Sequence, residues 1–193
     1  MNGGCMNIES VCLGPLATNC YLLESEGRAI LVDPAEDSEA LRAFVGDRTL
    51  DWIVDTHGHI DHIAGNWAFP DVPIRIHEAD VPFLDAAYPE HPPLGPHLEE
   101  GEEILPGLVV LHTPGHSLGS VVLKGKEFLL VGDLLFAGSI GRTDLPGGSM
   151  QEIAVSLERI VRLPGDYTVY PGHGEVTTLE MERRRNPFLV GLA

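Results

Sequence analysis

The sequence predicts an α/β domain in which short strands alternate with short helices. Apolar runs such as Ala29–Asp33, Leu50–Asp55 and Leu108–His112 are bounded by polar or turn-forming residues, as expected for buried strands. Apolar residues recur at helical spacing in Ser149–Leu163, which indicates an amphipathic helix. The length of 193 residues suits one domain, so we expect residues 1–193 to form a single unit.

The first half of the chain contains five predicted strands and three predicted helices. Pro34 closes the third strand, and Ser38 is a suitable N-cap for the first helix. The strands are Ile8–Leu13, Tyr21–Glu24, Ala29–Asp33, Leu50–Asp55 and Val72–His77, and the helices are Glu39–Val45, His62–Ala68 and Glu78–Leu84. Residues 1–5 read as a loose tail, and residues 85–101 as a long surface loop of the kind that often serves as a functional lid.

The second half contains four predicted strands and two predicted helices. Gly125 is the turn of a hairpin, and Pro187 stops the last helix. The strands are Leu108–His112, Ser120–Lys124, Glu127–Val131 and Tyr167–Tyr170, and the helices are Ser149–Leu163 and Thr178–Arg185.

The charge balance is strongly acidic. Twelve Lys and Arg residues stand against 29 Asp and Glu residues, giving a net charge of −17. Such a chain is a poor partner for nucleic acid or for an anionic membrane surface. The N-terminus does not resemble a signal peptide, and no run of 18 apolar residues occurs, so we expect a cytoplasmic protein. The three cysteines, Cys5, Cys12 and Cys20, give no disulfide framework and are predicted to be reduced.

The motif His57-x-His59-x-Asp61-His62 places four potential metal ligands within six positions, directly after a predicted strand. A loop that enters a helix can turn all four side chains toward one point, and Gly58 permits a tight backbone path. Active sites of α/β proteins lie at the carboxyl ends of strands. This density of imidazole and carboxylate groups therefore predicts a metal site.

Three further ligand-type residues follow predicted strands. They are His116, Asp133 and His173, each next to or near glycine. Seven ligands exceed what one tetrahedral zinc needs, but they suit two divalent metal ions. Because the set is rich in nitrogen and has no sulfur, zinc is favoured, with iron or manganese as alternatives. Two such ions can hold a shared hydroxide, and Asp133 could bridge them.

The remaining histidines lack this setting. His77 and His112 end strands and are predicted to be structural or to contact a metal ligand without binding the metal. His91 and His97 lie in the long loop and are predicted to be solvated. A serine triad at Ser117 is disfavoured, since no base and acid can be assigned to it.

The spaced motifs resemble the metallo-β-lactamase superfamily over essentially the whole chain. The resemblance implies a four-layer αββα sandwich. It also implies that His57, His59 and His116 hold a first metal, that Asp61, His62 and His173 hold a second, and that Asp133 bridges them.

Within that superfamily, the chain most resembles the short, single-domain bacterial members of the hydroxyacylglutathione hydrolase, or glyoxalase II, group. The similarity lies in Thr56–His62, Thr113–Ser117, Gly141–Asp144 and Pro171–Gly174. It implies metal-dependent hydrolysis of a small-molecule thioester, S-lactoylglutathione or a related hydroxyacyl thioester, by a metal-bridged hydroxide. Asp61 would both ligate a metal and orient the nucleophile, which makes it the expected catalytic residue.

Arg142 has two interpretations. It could bind a substrate carboxylate in a bidentate manner, or it could pair with Asp144 and shape the glycine-rich loop. The basic run Arg183–Arg185 is predicted to complement the dipole of the last helix.

Two other functions remain open on the sequence. A mononuclear iron persulfide dioxygenase on the same fold, which also resembles this chain at Gly141–Asp144, would use two histidines and one aspartate with open positions for oxygen. A metal-bearing binding domain without catalytic activity is less favoured, because a decayed site would be expected to lose ligands.

Overall fold

The computed structural model describes residues 6–190, and the predicted tail at residues 1–5 lies outside them. Strands and helices follow the order β1 to β13 and α1 to α5. The strands are β1 Asn7–Leu13, β2 Thr18–Ser25, β3 Arg28–Val32, β4 Trp52–Val54, β5 Ile74–Arg75, β6 Glu103–Leu105, β7 Leu108–His112, β8 Val121–Lys124, β9 Phe128–Gly132, β10 Leu135–Phe136, β11 Ser139–Ile140, β12 Thr168–Pro171 and β13 Thr177–Thr178. The helices are α1 Glu39–Val45, α2 Ile60–Ile63, α3 Val81–Ala87, α4 Met150–Val161 and α5 Leu179–Arg185.

Two mixed sheets form the centre of the fold. The first has the order β1-β2-β3-β4-β5, antiparallel from β1 to β3 and parallel from β3 to β5. The second has the order β13-β12-β9-β8-β7-β6, in which only β9 and β12 pair in parallel. Buried side chains of both sheets, including Leu23 and Val32 from the first and Val110 and Leu130 from the second, share one apolar cluster. The sheets therefore pack face to face.

Helices cover the outer face of each sheet. Leu41 and Val45 of α1 pack on β2 and β3, and a second cluster joins α2 and α3 to β4 and β5. On the other side, the apolar face predicted for α4 is buried against the second sheet together with α5. The layers are thus helix, sheet, sheet and helix, and the predicted αββα sandwich is confirmed.

Local sequence signals explain where the longer helices begin. The hydroxyl of Ser38 accepts a hydrogen bond from the Leu41 amide at 3.2 Å, and Ser149 does the same for Glu152 at 3.2 Å. Thr178 caps α5 in the same way, through the Met181 amide. These are N-cap contacts, which satisfy amides that the first turn leaves without a helical partner.

The helix predicted for His62–Ala68 is wrong in its extent. Helix α2 covers only Ile60–Ile63, and a 3-10 turn follows at Asn66–Ala68. The break falls at Gly65, whose amide donates to the carbonyl of Pro34 at 2.6 Å. A Cβ at Gly65 would lie 2.6 Å from that same oxygen, so close packing against the chain after β3 interrupts the helix.

Other predicted boundaries also change. The strand predicted for Val72–His77 shortens to β5, and the helix predicted from Glu78 is a 3-10 turn at Glu78–Asp80 followed by α3. Strands β6, β10, β11 and β13 were not predicted, because two or three residues show no alternation by themselves. Strands β4 and β5 are as short, but they lie within the longer runs Leu50–Asp55 and Val72–His77 that predicted them.

The long loop predicted at residues 85–101 packs against the first sheet. Its backbone runs beside β5, where Ile74 donates to the Pro93 carbonyl at 2.9 Å and Leu98 donates to that of Ile76 at 3.1 Å. Leu98 is buried in the core between the sheets. Residues 85–101 are therefore fixed by tertiary packing, which the composition does not reveal.

The described cysteines are both free thiols. Cys12 is exposed and Cys20 is buried, while Cys5 lies outside the described residues. Burial raises the pKa of the Cys20 thiol well above its usual value, so this group is a neutral core side chain. No helix in residues 6–190 is long and apolar enough to cross a membrane.

Candidate metal centre

All seven predicted ligands converge on one end of the sandwich. His57, His59, Asp61 and His62 follow β4 and enter α2, whereas the other three follow strands of the second sheet. Those three are His116 after β7, Asp133 after β9 and His173 after β12. An isolated bridge between Thr18 and His173 joins the two sheets at this edge. The cluster therefore draws side chains from both sheets.

The first group of donor atoms is formed by three imidazoles. His59 Nδ1 lies 2.8 Å from His116 Nε2, and that nitrogen lies 3.2 Å from His57 Nε2. Nitrogens bound tetrahedrally to one zinc at about 2.1 Å would be roughly 3.4 Å apart. The spacing of these three nitrogens is close to that value, so the group can hold a metal ion.

The second group combines two imidazoles with a carboxylate. His173 Nε2 lies 3.1 Å from Asp61 Oδ2 and 3.4 Å from His62 Nε2. The His62 nitrogen is 3.7 Å from the same carboxylate oxygen. These three residues form a second set of atoms close enough to share a cation.

Asp133 lies between the two groups. Its Oδ1 is 3.4 Å from His62 Nε2, and its Oδ2 is 3.5 Å from both His116 Nε2 and His173 Nε2. Oδ1 is buried and has no hydrogen-bond partner within residues 6–190. A buried carboxylate oxygen without a donor needs a cation, and this position can serve one ion on either side. The residues therefore fit a two-metal site.

Hydrogen bonds on the far side of two of the rings, those of His116 and His173, fix the orientations of these imidazoles. The Nδ1 atoms of His116 and His173 donate to the carbonyl oxygens of Arg142 and Leu16, at 2.8 and 3.1 Å. A carbonyl can only accept, so Nδ1 carries the proton and Nε2 presents its lone pair to the centre. Partners of this kind orient histidine ligands in metal sites.

Asp33 orients the rings of His57 and His62, whose Nε2 atoms also face the centre. The sequence analysis did not predict this role of Asp33. One of its oxygens accepts from His62 Nδ1 at 2.9 Å and from the Thr56 hydroxyl at 2.7 Å, and the other accepts from the Thr56 amide at 2.7 Å. The Thr56 oxygen in turn lies 3.2 Å from His57 Nδ1. Asp33 follows β3 directly, and this position at a strand end was the available signal.

Asp80 was also missed. Its carboxylate accepts from the Gly58 amide at 2.9 Å, from the Ser117 hydroxyl at 2.6 Å and from the Gly119 amide at 2.7 Å. Gly58 lies between His57 and His59, and Ser117 follows His116. The buried Asp80 therefore joins the two loops that carry the first donor group. The spacing of the sequence offers no signal for this contact.

The electrostatics keep both carboxylates of the cluster ionised. Burial raises the pKa of Asp61, but when His173 and His62 are protonated, the hydrogen bond from His173 Nε2 and the charge of His62 outweigh burial and lower the pKa to about 2. Burial likewise opposes ionisation of Asp133, yet His62 and His116 hold its pKa below the usual value. Burial and the neighbouring imidazoles lower the pKa of His57 well below normal, which favours its neutral, ligating form.

Two glycines allow the backbone to approach Asp133. A Cβ at Gly172 would lie 2.2 Å from Asp133 Oδ1, and a Cβ at Gly141 would lie 1.7 Å from its carbonyl oxygen. A side chain at position 172 would displace the carboxylate and one at position 141 would displace the backbone of Asp133, which explains both glycines.

A cavity of about 570 Å³ opens onto the cluster. Its wall contains the apolar residues Leu16, Ile60, Phe136, Ile140 and Leu145, together with Ser139, Arg142 and members of the cluster. No residue of the loop 85–101 is part of this wall.

Arg142 pairs with Asp144. The guanidinium donates to both carboxylate oxygens, through Nε at 2.7 Å and through one terminal nitrogen at 2.8 Å. These hydrogen bonds lower the pKa of Asp144 to about 2. The predicted clamp is confirmed, and binding of a substrate by Arg142 stays a prediction.

The other histidines lie apart from the cluster. His77 and His112 stack with ring centroids 4.1 Å apart, which agrees with the structural role predicted for them. The solvated state predicted for His91 and His97 is wrong, since both are half-buried. His91 contacts the Pro92 carbonyl and Asp85, because the loop folds back on itself.

The run Arg183–Arg185 occupies the last turn of α5, as predicted for charges that complement the helix dipole. Arg183 also donates to the carbonyls of Val161, Leu163 and Gly165, which end α4 and the following turn. This contact ties the two C-terminal helices together.

Comparison with known proteins places this geometry in a family. The family model described as the metallo-beta-lactamase superfamily matches residues 13–173. The chain is 31% identical to the hydroxyacylglutathione hydrolase GloC of Haemophilus influenzae, over 95% of this chain and 98% of that protein.

Two solved structures extend the comparison. The structure of TTHA1623 in a di-iron-bound form is 39% identical, covers 94% of this chain and 100% of its own, and superimposes with a TM-score of 0.84. The structure of ETHE1 from Myxococcus xanthus is 26% identical, with a TM-score of 0.76, and covers 96% of this chain and 85% of its own. The matched region contains all seven residues of the cluster, and the chain belongs to the metallo-beta-lactamase superfamily.

Proposed function

We propose that this protein is a metal-dependent hydrolase of thioesters, acting on S-lactoylglutathione or a related small hydroxyacyl thioester. The observation that carries the proposal is the position of Asp133, whose carboxylate lies within 3.5 Å of imidazole nitrogens from both groups of donor atoms. The relationship to GloC supports the thioester as substrate. A cavity of about 570 Å³ suits a small molecule.

We assign the ligands as follows. His57, His59 and His116 would hold one divalent ion, Asp61, His62 and His173 would hold the other, and Asp133 would contact both. Zinc suits this nitrogen-rich set, and the di-iron form of TTHA1623 keeps iron as an alternative. Two such ions, when bound, supply a water of lowered pKa and polarise a carbonyl group.

The residues of the chain then position the reactants. Asp61 is ionised and half-buried beside the cavity, so it can accept a hydrogen bond from an attacking water and hold one lone pair toward the substrate carbonyl. The water oxygen bonds to the carbonyl carbon, its proton passes to solvent, and the carbon–sulfur bond breaks to release a thiolate. Because a thiolate is a good leaving group, the chain needs no general acid at the sulfur.

The test is hydrolysis of S-lactoylglutathione by metal-replete protein, with metal content measured on the same sample. We expect about two metals per chain and loss of at least 10²-fold in kcat for Asp133→Ala and for Asp61→Asn. Asp51→Asn, which alters a half-buried carboxylate paired with Arg28 outside the cluster, is the matched control and should retain activity. Full activity of Asp133→Ala would contradict the assignment.

The second candidate is an iron persulfide dioxygenase, which the similarity to ETHE1 supports. The same sample should be tested for oxygen uptake with glutathione persulfide. Oxygen uptake with one iron per chain, together with no thioester hydrolysis, would overturn the hydrolase and favour the dioxygenase.

A further inference from the structure

The cavity beside the cluster has an apolar wall. Two of its residues, Leu16 and Ile60, are 61% and 52% exposed, although large aliphatic side chains are usually covered. Phe136, Ile140 and Leu145 complete the same wall. Apolar groups that converge beside a reactive centre are typical of a surface that a ligand covers.

The cavity offers almost no positive charge outside the ligand cluster. All twelve lysines and arginines lie within residues 6–190, and of these only Arg142 is part of the cavity wall. The guanidinium of Arg142 already donates hydrogen bonds to both carboxylate oxygens of Asp144. A carboxylate on a substrate would therefore have to compete with Asp144 for this cation.

Resting on the proposed thioester hydrolysis, we propose that the cavity selects thioesters whose larger arm is uncharged and apolar over those whose arm carries carboxylates. The apolar wall binds the arm by excluding water from it. Asp144 sets this selectivity, because it neutralises the one arginine that could receive an anionic arm. A glutathione thioester, whose arm has two carboxylates and one ammonium group, would then be hydrolysed without specific binding of these charged groups.

Asp144 can be substituted without disturbing the ligand cluster or the core. The Arg142 backbone oxygen, and not its side chain, accepts the hydrogen bond from His116. Both charged side chains are more than 60% exposed, so neither supports the core. Replacing Asp144 by Asn frees the guanidinium charge while it keeps the size of the side chain.

The experiment compares kcat/KM for two lactoyl thioesters that differ only in the thiol: glutathione and an uncharged alkanethiol. We expect the alkyl thioester to be the better substrate of the metal-replete protein. In Asp144→Asn the ratio of the two kcat/KM values should move about two- to fivefold toward the glutathione thioester, the range for an exposed charge pair. In Asp144→Asn combined with Arg142→Gln that shift should disappear.

The apolar wall is tested by a second pair of variants. Leu16→Ser should lower kcat/KM for the alkyl thioester roughly fivefold, with less effect on the glutathione thioester. Val155→Ser, at a residue that is 67% exposed and outside the cavity wall, is the matched control and should leave both values unchanged.

The outcomes separate this inference from the function on which it rests. Hydrolysis of neither thioester would remove the proposed function itself. Hydrolysis with the glutathione thioester preferred, or with a ratio that Asp144→Asn does not change, would overturn the selectivity while leaving the hydrolase in place.

Discussion

Asp33 determines how two imidazoles of the cluster are oriented. It adopts a left-handed backbone conformation, with φ of 51°, and it is almost completely buried. Asp and Asn tolerate this conformation better than most residues that have a Cβ. The backbone therefore places one carboxylate where it accepts hydrogen bonds from both His62 and Thr56.

Asp33→Asn should weaken metal binding without unfolding the protein. The amide keeps the size of the side chain and tolerates the same φ, but it loses the charge that orients His62. We expect affinity for the second metal to fall about 10- to 100-fold, as measured by competition with a chromogenic chelator. The control is Asp51→Asn, and unchanged affinity in Asp33→Asn would show that His62 does not need this partner.

The loops that carry the first donor group are held by a residue outside both of them. Asp80 lies in the 3-10 turn before α3, and it accepts three hydrogen bonds from the loops after β4 and β7. The position of these loops thus depends on an element that contributes no ligand.

Asp80→Ala should destabilise the fold, because three buried donors lose their acceptor together. Each buried donor without a partner costs about 1–3 kcal/mol, so we expect the free energy of unfolding to fall by at least about 3 kcal/mol in urea titrations. Asp85→Ala, at an exposed carboxylate, should change it by less than about 0.5 kcal/mol. A change that small in Asp80→Ala would show that water replaces the contact.

The loop 85–101 is attached to the second sheet and to α4 by Glu100. Its carboxylate accepts from Arg159 at 2.5 Å and from the His112 amide at 2.7 Å. The hydrogen bond from Arg159 is the main reason why the pKa of Glu100 lies below its usual 4.5. The folded state therefore favours the ionised carboxylate.

Glu100→Gln should destabilise the protein at neutral pH and less so in acid. A carboxyl group whose pKa is lower in the folded state stabilises the fold at pH values above its unfolded-state pKa. It loses that contribution as the pH falls through its folded-state pKa. Because Glu100 and Arg159 are about half exposed, we expect less than about 1 kcal/mol at pH 7. Urea titrations at pH 7 and below pH 4.5 should show the difference between variant and wild type shrinking. A difference that grows in acid would contradict this sign.

Taken as a whole, the molecule places five imidazoles and two carboxylates where the edges of two sheets meet. Donor atoms lie as close as 2.8 Å, and a carboxylate oxygen is buried without a donor. Such a centre is satisfied by cations, so folding and metal binding should be coupled.

Removal of metal should therefore lower the melting temperature. At a free metal concentration 100 times the dissociation constant, a ligand adds about 2.7 kcal/mol to the stability of the folded state. For a chain of this length we expect a rise of about 5–10 °C in Tm, measured by calorimetry after dialysis against a chelator and again after zinc is restored. Asp133→Asn should show a smaller rise, and an equal Tm with and without metal would contradict the two-metal site.

Residue patterns alone were enough to predict the fold class, most strand and helix positions, and the seven members of the cluster. These follow from short-range patterns, such as apolar periodicity in α4 and ligand-type residues directly after β4, β7, β9 and β12. The family resemblance added the αββα layers. Strands β10 and β13 were not predicted, because two residues show no alternation by themselves, whereas the equally short β5 lies within the predicted run Val72–His77.

The side chains that support the cluster, and the segments that surround it, depend on contacts between residues far apart in the sequence. Asp33 contacts His62 across 29 positions, and Asp80 contacts Gly119 across 39. The path of the loop 85–101 along β5 and the break of the helix at Gly65 likewise depend on segments distant in sequence. Such contacts are selected by shape and by the need to satisfy buried polar groups, which no local pattern of residues encodes.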